Sequence, residues 1–88
     1  MGYIKQIEKA AKLYIKGLLQ DKEMFIYIEL LDYSVRSLWR FPVEVLTESL
    51  AASEKLKSYH LLAILENLRK NKMIDFNNYG KTLSFTIY

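Results

Sequence analysis

Glu29 and Asp32 stand three residues apart, His60 is the single histidine, and Lys5, Lys9, Lys12 and Lys16 recur at intervals of three and four. Carboxylates and an imidazole can hold a metal or move a proton, whereas regularly spaced ammonium groups neutralise phosphate. The first two chemistries are left incomplete. His60 has no cysteine to join it, because the chain has none, and no second cluster stands ready to finish a site around Glu29 and Asp32. The residues therefore predict no metal site and no cofactor, with His60 packed or capping and the two carboxylates on a solvated face. None of the three glycines sits in a phosphate-cradling pattern, so nucleotide binding is unsupported and no enzyme is expected.

The lysines lie on a segment with a clear helical period. Ile4, Ile7, Ala11, Tyr14 and Leu18 share one stripe, and the four lysines share the opposite side, which predicts a sharply amphipathic helix over Tyr3 to Leu19. The lysine ridge has three readings: a solvated face, a phosphate contact, or attachment to an anionic membrane surface. The apolar stripe also follows a rough heptad, so residues 3–19 can pair with their mate in a homodimer or pack on the next helix.

Eighty-eight residues make one domain, and with 51% apolar residues it has the material for a single core. The richest apolar window, MFIYIELLDY, is interrupted by Glu29 and Asp32, and no stretch reads as a signal peptide or a membrane span. The absence of cysteine fits a reducing compartment, and an intracellular protein is expected. Net charge is only +3, but it is unevenly placed. Residues 1–20 carry four lysines against Glu8, residues 21–54 three basic against seven acidic side chains, and residues 55–88 six basic against two acidic. Two basic ends flank an acidic middle, a pattern that supports a basic binding face.

A second helix is predicted over Met24 to Trp39, with Met24, Phe25, Ile28, Leu31, Val35 and Leu38 as its main stripe and Ile26, Tyr27, Leu30 and Tyr33 widening it. The Arg40-Phe41-Pro42 run ends it, and Pro42 suits the first turn of a third helix over Val43 to Ala52. Ser53 is the expected N-cap of a fourth helix reaching about Asn71, with Leu61, Ile64, Leu65 and Leu68 buried. Its opposite face carries Tyr59, Ala63, Glu66 and Lys70. Ile74 and Phe76, then Leu83, Phe85 and Ile87, alternate with polar residues as two half-buried strands. Asn78-Tyr79-Gly80-Lys81 joins them as a hairpin turn. Trp39 and Phe41 have the spacing of core residues rather than of a stacking platform for single strands.

Helix, helix, turn, helix and a terminal hairpin is an order that resembles the winged helix-turn-helix superfamily. The resemblance is carried by PVEVLTESLAASEKLKSYHLLAILENLRKNKMIDFNNYGKTLSFTIY, Pro42 to Tyr88, in which LENLRKNKMIDF is similar to the passage from recognition helix to wing. It implies a mainly α fold with a small C-terminal β-hairpin: a winged helix domain over residues 21–88, preceded by the amphipathic helix of residues 1–20 as an extension. It further implies binding of double-stranded DNA, with Tyr59, Ala63, Glu66 and Lys70 offered to a major groove. Lys55, Lys57 and Ser58 would touch phosphates near the helix start, and Tyr79 and Lys81 would meet backbone or minor groove. Glu66 is the departure, an acid mid-helix on the face that should meet a polyanion, with no arginine beside it on that face. The expectation is a transcriptional regulator or chromatin-associated accessory factor acting by occupancy. The alternative is a protein-interaction winged helix serving as a small accessory subunit of a replication, transcription or other multi-chain assembly.

Overall fold

The computed structural model describes residues 3–88, the side chains of Tyr3 and Ser58 excepted. Its elements run α1 (Tyr3–Ile15), α2 (Asp21–Arg36), β1 (Val43–Leu46), α3 (Thr47–Ser53), α4 (Ser58–Lys70), β2 (Ile74–Asn78) and β3 (Thr82–Ile87). Among the described residues, three strands form one antiparallel sheet in the order β1-β3-β2. A sheet of three strands replaces the expected two-stranded hairpin: Val43–Leu46, predicted as the start of a helix, pairs with β3 through Val43↔Phe85 and Val45↔Leu83. The physical reason is local. Val43 and Val45 are buried and Glu44 and Leu46 exposed, a two-residue period with β-branched residues inward. Pro42 then sits just ahead of an edge strand, where a missing N–H breaks no ladder.

In the second strand pair β2 keeps the expected alternation, whereas β3, expected to be half-buried, is the central strand and buries Ser84 along with Leu83, Phe85 and Ile87. Ile74↔Ile87 and Phe76↔Phe85 face one another across β2 and β3, and their side chains are buried together with Leu83. Over this sheet lie Ile26, Tyr27, Leu30 and Leu31 of α2, Leu50 of α3, and Leu61, Leu65 and Leu68 of α4, in one continuous core. The buried stripe of α4 is the one its spacing predicts. That of α2 is rotated: Phe25, Ile28, Val35 and Leu38, expected inside, are exposed, and the residues expected to widen the stripe form its centre. Trp39 and Phe41 pack against the core, edge-on to each other at 5.8 Å and onward to Phe85 at 6.4 Å.

The helices α1 to α4 all close in one way. At each C-terminus a residue takes positive φ, donates its N–H three residues back, and is followed by an N–H that reaches five residues back. The pairs are Gly17→Tyr14 and Leu18→Leu13 after α1, Leu38→Val35 and Trp39→Ser34 after α2, Lys55→Ala52 and Leu56→Ala51 after α3, and Lys72→Arg69 and Met73→Leu68 after α4. The positive-φ residues that donate three residues back are Gly17, Leu38, Lys55 and Lys72, and after α2 a second one, Trp39 at φ 57°, follows Leu38. This places Ser53 at the end of α3, its Oγ donating to the Leu50 carbonyl at 2.7 Å, rather than at the start of α4, whose N-cap is Lys57.

The α1 helix lies antiparallel to α2. Ile7 shares a groove with Leu31 and Val35, while Tyr14 shares one with Asp21 and Phe25. The residues that sink toward the core are Ala10 and Leu13, not the expected stripe, since Ile4, Ile7 and Tyr14 remain exposed.

Candidate nucleic-acid interface

Because Leu61, Ile64, Leu65 and Leu68 fix the inward side of α4, the side chains half a turn away must face outward. Tyr59, Ala63, Glu66 and Lys70 accordingly share one exposed face. Tyr59 lies against His60 with ring centroids 4.1 Å apart, and His60 is exposed rather than packed or capping. Glu66 is not a bare charge. Both its carboxylate oxygens accept from Nη2 of Arg69 at 2.7 Å. The Arg69 guanidinium is held in turn over the Phe76 ring at 4.6 Å, with Asp75 3.8 Å away. Arg69 is therefore an arginine beside the expected face, held by Glu66 and Asp75 rather than standing free, and the three-residue interval between Glu66 and Arg69 is the signal in the sequence that could have found it.

A second cluster forms where the hairpin tip meets the corner between α3 and α4. Lys57 and Lys81 line one open groove together with Thr47, Glu48, Ala52 and Gly80. The tip is held there by the Thr47 N–H, which donates to the Lys81 carbonyl at 3.0 Å. Its own turn is closed by Gly80, at φ +88°, whose N–H donates to Asn78 Oδ1 at 3.0 Å. That conformation is open to glycine without a side-chain clash. Tyr79 projects from this tip and is as open to solvent as Tyr59. Lys55 is exposed in the turn after α3, while the Ser58 side chain lies outside the described residues.

The third cluster joins residues far apart in sequence. Lys5, Lys9, Lys12 and Lys16 line one outer side of α1. Lys9 Nζ donates to the Lys72 carbonyl at 2.8 Å, Gln6 Nε2 to the Tyr88 carbonyl at 3.4 Å, and Asn67 Nδ2 to the Leu18 carbonyl at 3.3 Å. Asn67 also donates to Glu23 Oε2 at 2.6 Å, and the other Glu23 oxygen accepts the Gln20 N–H at 2.7 Å. These bonds tie α1 and the α1–α2 turn to the C-terminal half of α4. The lysine flank of α1 thus adjoins Lys72 in the turn after α4, and the two basic ends of the chain meet.

Two tyrosines have shifted ionisation. Burial pushes the Tyr27 hydroxyl up to about 12, and the hydrogen bond from Tyr14 to Asp21, reinforced by the carboxylate charge, raises Tyr14. Among the described residues no group of three His, Cys, Asp or Glu side chains could hold a metal ion, and no helix is long and apolar enough to cross a membrane. No family model, curated protein or solved structure matches the chain.

Proposed function

We propose that this chain is a winged helix-turn-helix protein that binds double-stranded DNA and acts by occupancy, as a regulator or chromatin-associated accessory factor. The observation that carries the proposal is the exposed face of α4, bordered by the Lys57–Lys81 groove and by the lysine flank of α1. The order α2-β1-α3-α4-β2-β3 with strands arranged β1-β3-β2 supports the fold assignment beyond the sequence pattern. In this reading α4 enters a major groove, Tyr59 and Ala63 meet base edges or thymine methyls, and the lysines neutralise phosphates. Pairing with Arg69 weakens the repulsion between Glu66 and the polyanion, although Asp75 shares the same arginine.

The test is fluorescence anisotropy of a random-sequence duplex at two salt concentrations. Binding should fall steeply with salt, and Lys57→Ala or Lys81→Ala should each flatten the slope of log K against log salt by about 0.9 for the phosphate it no longer neutralises. Tyr59→Ala should change preference between sites instead. No binding at low salt overturns the reading. A second reading, a small accessory subunit of a multi-chain assembly, draws on Glu48, which shares the groove with Lys57 and Lys81 and would oppose a phosphate there. DNA indifference together with a stoichiometric protein partner would favour it.

A further inference from the structure

The apolar flank of α1 is left open by the way that helix docks. Ala10 is 1% exposed and Leu13 packs against the core, so the monomer is satisfied through that seam. One side of the seam carries the lysines. The other carries Ile4, Ile7 and Tyr14; Ile7 shares a groove with Ile28 and Val35, and Tyr14 one with Phe25 and Ile28, on the outer flank of α2, with Asp32 lining the first groove and Asp21 the second. These six side chains are between 38% and 60% exposed. With about 150–250 Å² for each of the two aromatic side chains and less for the four aliphatic ones, they leave on the order of 500 Å² of apolar surface in water. That lies within the ~300–600 Å² found as the largest patch on a monomer, a patch that is often functional. It is more than half of the ~800 Å² that each partner contributes to a standard interface.

We infer that this surface is the contact between two copies of the chain, α1 and α2 of one lying across α2 and α1 of the other in a four-helix arrangement. Two features select a second copy. The patch is a pair of antiparallel helices, which a two-fold axis can place on its own image. Ile4, Ile7, Ala11 and Tyr14 alternate at intervals of three and four, the spacing that seats knobs between the side chains of another helix. The extended interface also explains why the α2 residues expected inside lie outside: they face a core that forms between chains.

Sedimentation equilibrium of the full chain across the micromolar range should give twice the monomer mass. Ile28→Glu and Phe25→Lys should each return it to the monomer mass with the helical circular dichroism unchanged, whereas Tyr59→Ala on α4 keeps the doubled mass. A monomeric unaltered chain overturns the inference, including one that instead sediments with phosphatidylserine vesicles, which would give the flank to a membrane. A dimer indifferent to both substitutions overturns it as well. Should either variant lose its helical signal, the unaltered chain decides by NMR on dilution. Side-chain shifts at Ile7, Phe25 and Ile28 uphold the interface, and shifts confined to α4 or the hairpin refute it.

Discussion

Tyr27 is fully buried on α2, and its hydroxyl finds no hydrogen-bond partner among the described residues. A buried hydroxyl without a partner costs about 1–3 kcal/mol relative to its hydrated state, while the ring fills the core as phenylalanine would. Tyr27→Phe is therefore expected to raise the unfolding free energy at neutral pH by about 1 kcal/mol, measured by urea titration. The ionisation fixes a pH signature. The folded-state value of about 12 lies above the ordinary 10.0, so the unfolded chain loses this proton first. Its contribution is intact below pH 10 and is lost as pH rises through the folded value. The stability gap between Tyr27→Phe and the unaltered protein should be constant below pH 10 and widen between pH 10 and 12. A gap that stays constant throughout would show that the hydroxyl reaches water. At the same scale, Arg69 shows what pattern reading loses. In sequence it is one of six basic residues in the C-terminal segment; its pairing with Glu66 follows from their three-residue interval on α4, but its place over Phe76 depends on β2 folding back along that helix.

The helices share a termination that only one of them meets with glycine. Leu38, Lys55 and Lys72 occupy the left-handed region at φ 55°, 54° and 59°, where a side chain costs roughly 1–2 kcal/mol. Glycine avoids that strain but loses more chain entropy on folding, which offsets part of the gain. Lys72→Gly and Leu38→Gly should each stabilise by roughly 0.5–1 kcal/mol, read as a raised urea midpoint with an unchanged slope. A lowered midpoint would show that the side chain contributes more than its backbone strain costs. The same feature explains which parts of the fold were legible. Sequence periodicity places β2, β3, the Gly80 turn and the bodies of α1 and α4, because each has a clean period; it runs α1 on to Leu19, although the helix ends at Ile15 with Gly17 closing it, and caps α4 at Ser53 rather than Lys57. It carries α2 on to Trp39 because Leu38 and Trp39 are apolar and no glycine marks the stop. It misses β1 because four residues are too few for a two-residue period to outweigh the helix-forming LTESLAAS that follows. The outward face of α4 is legible from spacing alone. The face that α1 turns inward is not, since small Ala10 closes against the core while larger isoleucines remain outside.

At the scale of the whole molecule, the fold rearranges a charge pattern that is linear in sequence. The basic N-terminal helix and the basic C-terminal half are separated by the acidic middle, yet Lys9 bonds to the Lys72 carbonyl and Asn67 to that of Leu18. One extended basic border results, next to the α4 face rather than at two ends of an elongated particle. If DNA occupies α4, a duplex that runs on past the α4 contact should also pass the lysine flank of α1. Lys5, Lys12 and Lys16 leave Lys9 to its structural bond, so their joint replacement by alanine tests the border without cutting α1 loose. On a long duplex the triple variant should flatten the log K against log salt slope by about 2–3, close to 0.9 per phosphate neutralised. On a duplex trimmed to the α4 contact alone, the triple variant and the unaltered protein should give the same slope. Lys57→Ala should behave differently under the same treatment, because the phosphate it would neutralise lies at the start of α4 and persists on the short duplex. Equal effects of the triple variant on both lengths would mean that α1 does not lie along the DNA path, and an absence of effect on either would return its lysines to solvent.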